Sequence, residues 1–162
     1  MKILAYSIML TLFLNTAFAT EVSTGQRSIL SETHDEIKHT GNLEINDSKL
    51  KILKTTGNIK IVKSSIINIK NTGNLKIKHS EVTFIDQIGN AKLKNLKLKI
   101  IKINGNLKVK NSNIESIECV DKCEITIKKS EIKEIKFTKK QGLIKADDKS
   151  RISKLTNCTI LS

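Results

Sequence analysis

Between residues 41 and 118 the apolar side chains fall in four columns that return every sixteen residues. Each repeat is counted here from its glycine, taken as position zero. Position two then holds Leu43, Ile59, Leu75, Ala91 and Leu107, and position four holds Ile45, Ile61, Ile77, Leu93 and Val109. Position nine holds Leu50, Ile66, Val82, Leu98 and Ile114, and position twelve holds Leu53, Ile69, Ile85, Ile101 and Ile117. Positions two and four alternate with polar neighbours, the period of a strand with one buried face. The apolar residues are mainly β-branched, a class that suits pleated surfaces. Six glycines keep the period, Gly25, Gly41, Gly57, Gly73, Gly89 and Gly105, and all but the first precede asparagine. Gly-Asn is a turn signal, because glycine enters positive φ freely and asparagine tolerates it.

A unit of this length is too short for two packed helices but fits one coil of a solenoid with two or three short strands. The predicted fold is therefore all-β: a β-solenoid, or parallel β-helix, of about eight coils and roughly 38 Å at the usual strand spacing. A degraded coil over 25–40 places Arg27 and His34 at positions meant for apolar residues, as a polar terminal cap requires. Regular coils follow over 41–118, and irregular ones over 119–162. There Cys123 takes the place of glycine, eighteen residues after Gly105. Serine at position seven (Ser48, Ser64, Ser80, Ser112) either marks a bend, its hydroxyl on nearby backbone, or forms an inward ladder. No second domain and no linker stand out within 20–162.

Residues 1–19 read as a secretory signal: Lys2, an apolar run from Ile3 to Leu14, and the small-x-small Ala17-Phe18-Ala19 before the cut. The run is shorter than the ~20 residues a spanning helix needs, and no second apolar segment follows. The expected location is secreted or periplasmic. The repeat units, typified by Thr72–Val82 with its Thr-Gly-Asn-Leu-x-Ile-x-x-Ser pattern, resemble those of bacterial exported β-solenoid families described as adhesin-like. The likeness is architectural and covers about residues 25–135. It implies an exported adhesion, envelope-associated or scaffold protein, and supplies no catalytic or binding motif to carry over. Bactofilin-like solenoids have coils of similar size but are cytoplasmic, which the signal sequence argues against.

The net charge of +13 changes the picture. Position three reads Glu44, Lys60, Lys76, Lys92, Lys108, and position five reads Asn46, Val62, Lys78, Lys94, Lys110. Both flank buried residues of one strand, so both are expected outside, on one face. Two readings of these columns stand. One is a cationic strip for a polyanion, whether nucleic acid, lipid phosphate or an acidic glycan. The other is a solvated face whose lysines reflect an AT-rich coding sequence. Beyond the signal only Phe84 and Phe137 are aromatic, which argues against base stacking. A further partner reading is self-association through exposed coil ends, in a purely structural or protein-interaction module.

Other chemistry is sparse. Cys119 and Cys123 bracket the two-residue expansion and are the preferred disulfide, allowed in an oxidising compartment. Cys158 lies two coils from Cys119, beyond disulfide reach in a regular stack. Three cysteines lack the paired spacing of a zinc motif. His34, Asp35, Glu36 and His39 form the one tight group of acid-base types, and they fall on the terminal cap. No carboxylate column accompanies the lysines, so no catalytic residue, metal site or cofactor is expected.

Overall fold

The structure, a computed structural model, describes residues 20–139 and 142–157. The signal sequence and Cys158 lie outside them. Among the described residues ten strands form one parallel sheet: β1 (Thr20–Leu30), β2 (Thr33–Asn46), β3 (Lys49–Val62), β4 (Ser65–Lys78), β5 (Glu81–Lys94), β6 (Lys97–Lys110), β7 (Asn113–Lys128), β8 (Glu131–Phe137), β9 (Gly142–Ala146) and β10 (Arg151–Thr156). Strands β1 to β8 pair in chain order; β9 then continues on β7 and β10 on β8. The register from β1 to β6 is sixteen residues throughout: Ile45 faces Ile61, Ile61 faces Ile77, and Ile77 faces Leu93. The molecule is a β-solenoid of about eight turns.

Each coil is nearly continuous strand, bent rather than interrupted. In residues 73–88 the buried side chains are Leu75, Ile77, Ser80, Val82, Ile85 and Gln87. Strict alternation would reverse faces over such a run, so the chain must bend wherever two or more outward residues adjoin. That happens three times per coil, and the sheet wraps the core as three short faces: positions one to five, seven to ten, and eleven to fifteen. All four apolar columns point inward, with Ile61 and Ile77 fully buried.

Two bends have distinct backbone solutions. At position zero the glycines keep positive φ, +128° at Gly73. A Cβ there would collide with the Gly57 carbonyl oxygen of the coil before and sit 3.0 Å from its carbonyl carbon. Only glycine lets the coils close to strand spacing at this bend. At position six a non-glycine residue is left-handed in each coil: Asp47 (φ 49°), Lys63 (49°), His79 (51°), Asn95 (54°), Asn111 (49°) and Lys129 (48°). The serine after this corner satisfies both readings of its column. Ser64 Oγ donates to the Val62 carbonyl at 2.8 Å and accepts from Ser48 N at 3.1 Å, and Ser64 N donates to Ser80 Oγ at 3.1 Å.

Position fourteen is an inward column that the apolar pattern does not reveal: His39, Thr55, Asn71, Gln87, Ile103, Cys119 and Phe137, all buried. Its polar members satisfy one another. Thr55 Oγ1 donates to Asn71 Oδ1 at 2.8 Å, Asn71 Nδ2 to Gln87 Oε1 at 2.9 Å, and Gln87 Nε2 to the Gly73 carbonyl at 2.8 Å. The register shifts between Ile103 and Gly105, which face Cys119 and Cys123. A Cys119–Cys123 disulfide, Cα–Cα 6.0 Å, closes the extra loop.

Candidate polyanion-binding face

The strand segment after each glycine turns positions two and four into the core, so one, three and five face outward. Parallel register then sets like on like. Lys76 faces Lys92 and Lys92 faces Lys108; Lys78 faces Lys94 and Lys94 faces Lys110. The result is a two-by-three array, one step per coil, that Lys128 extends beside Lys110. Lys76, Lys92, Lys108 and Lys110 are exposed, and Lys78 and Lys94 are half-buried. Unit charges one strand spacing apart repel by about 0.9 kcal/mol in water, less in salt.

Lys60 does not share this state. Its ammonium lies 2.6 Å from Glu44 Oε1, and that hydrogen bond, with a second from Asn46, holds the Glu44 carboxyl below the usual glutamate range. The six array lysines form no ion pair among the described residues. Elsewhere lysines meet acids on adjoining coils: Lys51 and Asp35 at 2.6 Å, Lys54 and Glu36 at 2.8 Å, Lys102 and Glu118 at 3.5 Å, Lys154 and Glu134 at 3.0 Å. On the array's face the acids stand only toward the ends, Glu44 before it and Glu124 after it. The middle coils thus stack their lysines in register on one side, with Lys63, Lys70, Lys97, Lys99 and Lys102 distributed over the others.

A third column completes the face. The asparagines after each glycine form a hydrogen-bonded chain on the surface. Asn58 donates to Asn42 at 2.9 Å, Asn74 to Asn58 at 2.8 Å, Asn90 to Asn74 at 3.0 Å, and Asn106 to Asn90 at 3.0 Å. Read as turn residues from sequence, they are also an outward polar ladder beside the lysines. The signal was in plain view, the unbroken Gly-Asn repeat. Shallow grooves run between the columns: about 290 and 320 Å³ between the asparagines and the first lysine column, and about 400 Å³ between the two lysine columns. A wider concavity, about 1050 Å³, follows the position-six corner and mixes Glu81 and Glu131 with Lys97, Lys129, Lys149 and Arg151. Its cations are interspersed with carboxylates and do not stack like on like, as those of the lysine array do.

The acid-base group of the N-terminal coil is dispersed into a plug. Arg27 lies 2.6 Å from Glu21, and His34 sits between Glu21 at 3.3 Å and Glu32 at 2.7 Å. His39 turns inward, 2.9 Å from Ser23 Oγ, while Asp35 and Glu36 hold lysines of the next coil. No cluster able to hold a metal ion occurs among the described residues. No helix among them is long and apolar enough to cross a membrane. No family model matches the chain, and no curated protein and no solved structure matches it.

Proposed function

We propose that this chain is an exported, non-catalytic β-solenoid, an adhesion, envelope-associated or scaffold protein that docks its lysine face on a polyanion. The supporting observation is the stacking of unpaired charge in register. Codon bias alone would scatter lysines over all three faces with similar surroundings. Here the middle coils stack six unpaired ammonium groups in register, whereas the unpaired Lys63, Lys97 and Lys99 are scattered off this face and Lys70 and Lys102 lie against acids. A polyanion laid on the array relieves its self-repulsion and releases its own counterions.

Retention on heparin or phosphocellulose tests this reading. The protein should elute well above physiological salt, and Lys76→Gln/Lys92→Gln/Lys108→Gln should lower the slope of log K against log salt by about two. Equal elution of the folded variant and the parent would overturn it.

A second reading, assembly through coil ends, draws on the C-terminal end. Leu155 faces Ile135 in register yet stays 38% exposed, because among the described residues β10 pairs with β8 alone. The charged plug around Arg27 and His34 makes the other end a poor docking edge. Sedimentation across a wide concentration range separates the readings: oligomers abolished by Leu155→Asp support this one, and a monomer throughout removes it.

A further inference from the structure

The chemistry of the face narrows the class of polymer. We infer that its occupant is an acidic polysaccharide, extended along the solenoid axis, with its anionic groups over the lysine columns and its hydroxyls on the asparagine ladder. This rests on the polyanion reading and adds a role for the uncharged column.

Three observations carry it. The first is the repeat. Asparagine and lysine columns advance together, once per coil, at about 4.8 Å. An extended glycan sets down one ring, with its acid group and hydroxyls, at a comparable step. Duplex DNA presents a phosphate every ~3.4 Å per strand and winds away from a flat strip.

The second is the ladder's unused capacity. Each inner asparagine spends one N–H and one lone pair on its neighbours. That leaves one donor and one acceptor per coil facing solvent. A hydroxyl satisfies both kinds of group, since it donates and accepts. A phosphodiester or polyphosphate oxygen accepts only, and leaves the asparagine acceptors without a partner.

The third is the absence of a stacking platform on this face. Phe137 is 1% exposed, and Phe84 lies at position eleven on another face. Single-stranded nucleic acid draws much of its affinity from aromatic stacking. The groove beside the ladder is instead lined by asparagine and lysine side chains, Asn74 and Asn90 on one side and Lys76 and Lys92 on the other.

The test uses fluorescent oligogalacturonate, inorganic polyphosphate of equal charge and a DNA duplex, titrated into the full-length protein at two salt concentrations. The acidic glycan should bind more tightly than either phosphate polymer. Asn74→Ala/Asn90→Ala should weaken glycan binding about tenfold, the worth of two ordinary hydrogen bonds, and leave polyphosphate binding unchanged. Asn106→Ala, at the ladder's end with one recorded bond to give up, should weaken glycan binding about threefold. It serves as the second variant if the double change unfolds the chain. Polyphosphate or DNA binding as tight as the glycan, or equal losses on all three polymers, would overturn the inference while the lysine face still bound polyanions. Salt-insensitive or absent binding to all three would remove the polyanion reading as well.

Discussion

At the residue scale the glycine column is where sequence and backbone agree best. Its period was legible because no other residue meets both demands of the site, a positive φ and a carbonyl oxygen of the preceding coil where Cβ would be. The left-handed corner at position six was not legible. It is filled by Lys63, His79, Asn95 and Lys129 among others, and only asparagine and aspartate commonly advertise that conformation. The corner is imposed by the sheet on either side, not chosen by the residue standing there. Gly73→Ala should therefore cost at least about 2 kcal/mol, strain plus collision. Gly25→Ala, whose new Cβ meets nothing within 4 Å, should cost less. Urea denaturation of the two variants checks the order, and equal losses would mean that backbone strain alone sets the penalty.

At the scale of one coil the four apolar columns gave the strand path, and the inward column at position fourteen stayed hidden. Its residues change from His39 through Asn71 to Phe137, so no hydropathy period marks them. Their burial is tolerable because each amide or hydroxyl meets the next coil's partner in register. Asn71→Ala leaves the Thr55 hydroxyl and the Gln87 carbonyl oxygen facing a gap. Its cost should be about 2–4 kcal/mol, read as a lower urea midpoint with little change in slope. Asn68→Ala, on an exposed position of the same coil, should stay within about 0.5 kcal/mol. The candidate face divides in the same way. The lysine columns were visible because alternation fixes which side chains point out. The loss of Lys60 to Glu44 and the bonding of the asparagines depend on side-chain geometry between coils.

At the scale of the molecule, carboxylates act as ties, one within β1 and three between adjoining coils. Hydrogen bonds from Arg27 to Glu21, Lys54 to Glu36, Lys60 to Glu44 and Lys154 to Glu134 lower all four carboxyl groups from the ordinary glutamate value. A carboxyl whose folded pKa is depressed stabilises the fold above its unfolded value, and that contribution fades as pH falls through the folded one. Thermal midpoints should thus be level near neutrality and decline below about pH 4.3. Acidification also strips the acids that offset the lysines, which adds repulsion on the same side of the curve. A midpoint that rose on acidification would contradict these pairings.

The placement of Glu44 and Glu124 sets a measure as well as a charge. They stand five coils apart, about 24 Å along the axis, each tied to a lysine of the next coil, and the six unpaired lysines lie between them. A bound chain longer than that gap must pass a carboxylate at either end and gains little from its extra length. The face is a ruler with two stops, and short oligomers should saturate it as fully as long polymers do.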